Sequence, residues 1–227
     1  NKCIKARIKP IIGCEIPLVI EQNNRIDNIV LLCQNINGYY NLNKILSSIH
    51  KSRSSNLGAS LELLKKYNSD LICLSGARNG LCGVNMLQTS VDITRQRVES
   101  ISEIFNDRFY IEIQRHGDQN EKEFEKFNLT SSKKLDIPLI ATNEVFYINK
   151  DMHEAHDALI CIGHKTYVND KNRLKFTDQH YLKSNSEMSE LFADLPEALE
   201  NNYNFPYRCN FRPTFSNPIL PNISSDK

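Results

Sequence analysis

Short apolar runs alternate with helical patterns along the chain, and this alternation predicts an α/β protein. Residues 8–20 and 28–35 are β-branched runs bounded by proline or polar turns, which is typical of strands. A polar stretch separates these two runs, so they are compatible with a hairpin. Residues 70–76 form a near-continuous apolar run, the pattern of a strand that is buried on both faces.

Helical and strand patterns continue in turn toward the C-terminal end. Further strands are predicted at 108–117 and 137–147, and Ser184 and Glu187 have the spacing of a capping box that opens one late helix. Strand and helix recur about every thirty to forty residues, which indicates parallel βαβ units. A distorted TIM-like barrel and a doubly wound sheet both agree with this pattern. The predicted helices cover residues 38–50, 60–67, 90–105, 121–135, 151–162 and part of 184–200.

Length and charge narrow the range of functions. The 227 residues suffice for one large α/β domain or two small ones. The formal net charge of +1 does not indicate a domain-wide electrostatic footprint for nucleic acid, although a local basic patch is compatible with it. No apolar stretch approaches the ~20 residues of a membrane span, so no membrane partner is expected.

The seven cysteines are scattered, and no two of them form a C-x-x-C pair. Several lie inside apolar runs such as "LICLSG" and "ALICIG". This pattern favours buried thiols in a reducing, cytoplasmic protein over a zinc ribbon or a disulfide framework.

Polar residues follow the predicted strands, where α/β enzymes place their chemistry. Glu15 ends the first strand and offers a carboxylate that suits a hard metal ion, and His116 ends the strand at 108–117. His153 and His156 share a helix face, but "HEAHD" is not the H-E-x-x-H zinc motif, so a solvated or capping role is favoured. No nucleophile elbow or P-loop is present. The residues alone therefore predict an α/β domain with a depleted strand-end site.

Several sequence blocks carry a family resemblance. The blocks "IKPIIGCE", "LICLSG", "FYIEIQRHG", "IPLIATNEVFY" and "ELFADLPEALENN" occur in this order and span essentially the whole chain. Together they resemble the polymerase-and-histidinol-phosphatase (PHP) domain of the alpha subunit of bacterial DNA polymerase III. The tail "FRPTFSNPILP" resembles the stretch that leads into the polymerase palm of that subunit.

The resemblance implies a PHP-type distorted TIM-like (β/α)7 barrel of the α/β class, incomplete at its N-terminus. The family's opening H-x-H strands are expected upstream of Asn1. The PHP domain is predicted to cover residues 1–200, and residues 201–227 to form an extended linker toward the palm. In active relatives, metal ions at the strand ends support phosphoester hydrolysis, including 3′→5′ exonuclease proofreading.

The same resemblance bears on individual positions. Glu15 matches a family metal ligand, and Glu144 stands where the family usually has Asp. Phe146 stands where active members have a His ligand, and Ala77 where many have Cys; a further family His falls near Ser48. We therefore predict a vestigial site at Glu15 and Glu144, with no catalytic residue and at most one weakly bound Mg²⁺ or Mn²⁺. The ring of Phe146 is expected to fill the vacated pocket.

These expectations give three hypotheses of function. The first is a non-catalytic scaffold of the replicative polymerase that docks the proofreading exonuclease subunit, with DNA and Mg²⁺ engaged by the parent polymerase. The second is a residual metal-dependent phosphoesterase or 3′→5′ exonuclease. The third is a truncated or decayed reading frame with no function of its own.

Overall fold

A computed structural model of the chain describes residues 2–20, 25–51, 58–214 and 217. Within them, five strands form one mixed sheet whose spatial order follows the sequence. β1 and β2 are antiparallel, as are β2 and β3, whereas β3, β4 and β5 are parallel. The predicted hairpin is thereby confirmed, and within the described residues parallel βαβ units begin at β3. The strands are β1 (Gly13–Ile20), β2 (Arg25–Cys33), β3 (Leu71–Leu74), β4 (Phe109–Ile113) and β5 (Leu139–Ala141).

The mixed α/β class agrees with the prediction, but the closed (β/α)7 barrel does not appear. In the described residues, β1 and β5 lie at opposite ends of the hydrogen-bonded ladder and do not pair with each other. A barrel needs that ladder to close on itself. The sheet formed by the described residues therefore remains open.

Local sequence signals set the ends of several helices. Ser60 and Ser90 accept hydrogen bonds from the amides of the third helical residue of α3 and α4, each at 3.2 Å. The helices are α1 (Lys2–Lys5), α2 (Ile36–Lys51), α3 (Leu61–Tyr67), α4 (Val91–Phe105), α5 (Glu121–Leu135), α6 (His153–His164), α7 (Asn185–Leu191) and α8 (Pro196–Arg208). Short 3₁₀ turns lie at Ala77–Asn79, Val84–Gln88, Asn106–Arg108 and Lys150–Met152.

The late part of the chain differs from its prediction. The capping box of Ser184 and Glu187 is confirmed, but it opens only α7. A separate helix, α8, begins at Pro196, because proline lacks the amide that would continue a preceding helix and suits the first helical position. Residues 201–208 belong to α8 and are helical rather than extended. The boundary at residue 200 itself stays a prediction.

The core lies on the two faces of the central strands. Every residue of β3 and β4 is buried, as the apolar run at 70–76 predicts for its strand. Side chains from α2 and α4, including Ile45, Val98 and Ile101, are fully buried in the same cluster. α8 covers the outer edge of the sheet, where Asn201 and Asn202 donate to the carbonyls of β5. These contacts satisfy an edge that would otherwise present unpaired backbone groups.

All seven cysteines are free thiols. Five of them are buried, as predicted, and two are not. Burial raises the pKa of Cys33 to about 11, so this thiol stays protonated. Cys3 is exposed and Cys14 is half-buried. Of the helices in the described ranges, none has both the length and the apolar character that crossing a membrane requires.

Candidate functional site

The ends of the central strands enclose an acidic cavity of about 200 Å³. Glu15 from β1, Glu112 from β4 and Glu144 from the segment after β5 all line it. Arg78, in the turn after β3, is the cation among the lining residues. The exposed carboxylate of Glu15 is oriented by the side-chain amide of Asn28, which donates to it at 2.6 Å. Three carboxylates on one small cavity are the oxygen donors that hard cations prefer.

Burial and mutual repulsion shape the charge of this cavity. Burial raises the pKa of Glu112, although the Thr142 hydroxyl donates to its carboxylate at 2.5 Å and opposes the rise. Burial also raises the pKa of Glu144, and the charges of Glu15 and Asp118 add to it. Desolvation is thus the main cause of both shifts, and repulsion from neighbouring carboxylates adds to it. A cation in the cavity would favour the ionised form of both groups.

A second group of donors, the histidine corner, consists of His116, Asp118 and His180. One donor atom of each lies within 4.8 Å of the other two. His116 and Asp118 follow β4, whereas His180 comes from the segment after α6. The two imidazole rings stack with centroids 4.0 Å apart and planes 7° from parallel. Arg78 donates to Asp118 at 2.8 Å, so this arginine lies at both the corner and the acidic cavity.

Hydrogen bonds assign the tautomer of His116. The Asn143 amide nitrogen donates to the Tyr181 carbonyl at 2.8 Å, which leaves its Oδ1 as the acceptor. Lys183, which can only donate, lies 3.3 Å from the same oxygen. His116 Nε2 is 2.9 Å from this Oδ1, so we assign the proton to Nε2 and the lone pair to Nδ1.

His180 is held in the complementary way. Its Nδ1 lies 3.2 Å from the Glu144 carbonyl oxygen, so we assign the proton to Nδ1 and the lone pair to Nε2. Burial lowers the pKa of His180 to about 4 and also lowers the pKa of His116. Both rings are therefore neutral near pH 7, which is the form that binds metals.

The donor set of the corner fits a metal ion. His180 is fully buried, and its Nε2 has no hydrogen-bond partner in the described part of the chain. Two imidazoles and a carboxylate are a frequent ligand combination for zinc. The orphaned nitrogen is the observation that distinguishes this corner from an ordinary pair of hydrogen-bonded histidines.

A family model described as the PHP domain matches residues 1–116. The chain belongs to the PHP domain family. Three similar proteins are DNA polymerase III alpha subunits. The subunit from Caulobacter vibrioides is 35% identical over 227 residues, covering 96% of this chain and 20% of that protein. Those from Rickettsia bellii and Borreliella burgdorferi are also 35% identical, and cover 98% and 96% of this chain. The chain spans about a fifth of the length of these relatives.

The PHP resemblance predicts site positions that the fold brings together only in part. Glu15 and Glu144 line the same cavity, and their role as metal ligands stays a prediction. Ala77 opens the turn that carries Arg78, and it offers no donor. Ser48 lies on α2, where its hydroxyl donates to a backbone carbonyl at 2.8 Å, and it is not among the residues that line the cavity.

Phe146 does not fill a buried pocket, contrary to the prediction. Its side chain is 39% exposed and stacks on His180, with ring centroids 5.0 Å apart. His156 and Phe176 flank it at 5.1 and 4.6 Å. The reason is that the fully buried ring of His180 occupies the inner position, so the Phe146 ring packs outside it.

Sequence reasoning missed three polar residues of the acidic cavity and the histidine corner. Glu112 has a local signal, because it is a carboxylate inside the otherwise apolar strand "FYIEI". Asp118 follows two residues after His116, which was predicted as a strand-end candidate. His180 has no such signal, because its site partners are distant in sequence. The predicted solvated or capping role of His153 is replaced by a contact at 3.0 Å with the Phe176 carbonyl.

Proposed function

We propose that this PHP domain is part of a replicative DNA polymerase alpha subunit and serves in DNA replication in the cytoplasm. The observation that carries the proposal is the alignment with two proteins named DNA polymerase III subunit alpha. These alignments cover 96% and 98% of the chain, each at 35% identity. Nucleotidyl transfer, with its DNA and Mg²⁺, belongs in this proposal to the parent DNA-directed DNA polymerase. The PHP domain itself is a non-catalytic scaffold.

Loss of donors supports the scaffold role. Phe146 and Ala77 stand at family ligand positions and have no side-chain lone pair to give. In the proposed role, the domain supports the polymerase core and docks the proofreading exonuclease subunit.

The outer face of α6 and the turn after it support a docking role. Leu159, Ile162 and Tyr167 are 64%, 76% and 80% exposed, although their side chains are large and apolar or aromatic. Exposed apolar groups of this kind often mark protein contact surfaces. This face is therefore our candidate surface for the exonuclease subunit.

Calorimetric titration of the chain with the exonuclease subunit of the same organism tests the scaffold proposal. We expect a one-to-one complex. Ile162→Glu should weaken it at least tenfold, about 1.4 kcal/mol, because a charge would enter an apolar contact. Tyr203→Glu on α8, another exposed position, is the matched control and should leave the affinity unchanged. Absence of a complex with the unmodified chain would refute docking.

A second candidate function is metal-dependent phosphoester hydrolysis, favoured by the acidic cavity beside the histidine corner. Glu15 and Glu144 would hold a hard cation, and the corner would hold a softer one. Such ions supply Lewis acidity and lower the pKa of a bound water. Arg78, which lies at both groups, is placed to bind a phosphate oxygen.

Release of nucleoside monophosphates from the 3′ end of an oligonucleotide in the presence of Mn²⁺ would distinguish the two candidates. Under the scaffold proposal, the chain has no such activity. If hydrolysis occurs, Glu15→Ala should abolish it under the enzymatic alternative. Ser48→Ala, at an exposed hydroxyl on α2, is the control that should not change it.

A further inference from the structure

We propose that His116, Asp118 and His180 form a binding site for one transition-metal ion of the Zn²⁺ class. None of these three residues stands at a position that the family resemblance marks as a ligand. The proposal stands on the geometry of the histidine corner. It does not depend on docking or on the parent polymerase.

Each imidazole of the histidine corner has one ring nitrogen fixed by a hydrogen bond, as is usual for histidine ligands of metal ions. A histidine ligand usually donates its other N–H to a carbonyl or carboxylate, which fixes the ring and its tautomer. His116 donates to the Asn143 side-chain carbonyl at 2.9 Å, and His180 donates to a backbone carbonyl at 3.2 Å. Each ring therefore directs one lone pair away from its anchor and is available for coordination.

The unpaired nitrogen of His180 faces the carboxylate of Asp118, and the gap between them suits an ion bound to both. His180 Nε2 lies 3.9 Å from Asp118 Oδ2, which is too long for a hydrogen bond. Two bonds of about 2.1 Å at a tetrahedral angle would separate their ligand atoms by about 3.4 Å. A shift of roughly half an ångström therefore places both atoms on one zinc ion. Because the imidazoles are stacked, one ring must also turn toward the ion.

Arg78 orients the carboxylate ligand. It donates to Asp118 Oδ1 at 2.8 Å, and Oδ2 is the atom that faces His180. The Asp118 side chain is only 8% exposed, so its charge is poorly solvated. A cation at the corner would complete the pairing of this carboxylate, with Arg78 as an outer partner.

Aromatic rings shield one side of His180. The rings of Phe146 and Phe176 pack against His180 at centroid distances of 5.0 and 5.2 Å. They cover one side of the ring and restrict water there. The site would join the residues after β4 to the segment after α6, which also meet where Thr177 donates to the His116 carbonyl at 2.6 Å.

Metal titration of the full chain, after removal of bound ions by a chelator, tests the proposal. We expect one Co²⁺ or Zn²⁺ per chain by elemental analysis, and a Co²⁺ absorption spectrum typical of four-coordinate nitrogen and oxygen ligands. His180→Phe and Asp118→Asn should each weaken Zn²⁺ binding by at least about 100-fold, since even loss of an outer partner costs about 10- to 100-fold. His164→Ala, at the end of α6, should bind as the unmodified chain does.

Thermal melting separates loss of the ligand from loss of the fold. Zn²⁺ should raise the melting temperature of the unmodified chain and of His164→Ala, because a ligand of the folded state stabilises it. Zn²⁺ should not raise the melting temperature of Asp118→Asn, a variant that keeps the size of the side chain. This variant tests the site even if His180→Phe fails to fold. Failure of the unmodified chain to bind, equal binding by Asp118→Asn, or sulfur-to-cobalt charge transfer from a cysteine ligand would each overturn the proposal.

Discussion

The central sheet and the segment that follows it are held together by different forces. All residues of β3 and β4 are buried, and all their side chains except that of Glu112 belong to two apolar clusters. In residues 142–184, which we call the outer segment, only Tyr147, Cys161 and His180 are buried. The sheet therefore depends on removal of apolar surface from water, whereas the outer segment lacks a core of its own.

Hydrogen bonds and stacked rings replace that core. The amide of Phe146 donates to the His180 carbonyl at 2.9 Å, and the amide of Leu182 donates to the Tyr147 carbonyl at 3.0 Å. Segments with few buried apolar contacts open at lower free energy than the global fold. The candidate site therefore joins residues at the ends of buried strands to residues that specific polar contacts hold in place.

The largest expected effect is on the sheet. Phe109→Ala should lower the free energy of unfolding by about 3–5 kcal/mol, because the fully buried ring leaves a cavity. Phe146→Ala, in the outer segment, should cost less than half as much because that ring is partly exposed. Urea unfolding followed by circular dichroism measures both. Equal losses would contradict the proposed difference between the two regions.

A smaller effect is expected where the outer segment contacts the residues that follow β4. Asn143→Ala should cost about 1–3 kcal/mol, since it leaves buried hydrogen-bonding groups of His116 and Tyr181 without their partner. Hydrogen exchange should accelerate at the amides of Phe146 and Leu182 and stay unchanged in β3 and β4. Uniform acceleration through the chain would show that the outer segment does not open separately.

The start of α7, next to the outer segment, should respond to acid. The Ser184 backbone amide, its hydroxyl and the Tyr181 hydroxyl all donate to Glu187, and they lower its pKa from 4.5 to about 2. This stabilisation is fully present above pH 4.5 and is lost as the pH falls toward about 2. Glu187→Gln should reduce the fall in melting temperature over this range. An identical fall in both proteins would exclude a contribution from this carboxylate.

The smallest effect is expected on the outer face of α6. Leu159→Ala should change the free energy of unfolding by no more than about 0.5 kcal/mol, because the side chain is 64% exposed and packs little. Urea unfolding checks this value. A loss above about 2 kcal/mol would show that α6 contributes to the core after all.

Local sequence signals suffice to predict several elements of this fold. The periodicity of residues 121–135 predicts α5 with the bounds that the structure has, and the Ser184–Glu187 spacing marks the start of α7. The apolar run at 70–76 predicts a strand buried on both faces, which β3 is. These predictions succeed because helix caps, amphipathic faces and buried strands depend on residues a few positions apart.

The composition of the site, in contrast, depends on tertiary packing. It stacks His180 on His116, places Phe146 outside them, and leaves the described sheet open instead of closed into a barrel. No local pattern encodes these arrangements, because they depend on how the segment after α6 packs against the ends of strands far away in sequence. Glu112 is intermediate between local and tertiary signals. Its charge inside an apolar strand is visible in the sequence, but only the fold brings it to one cavity with Glu15 and Glu144.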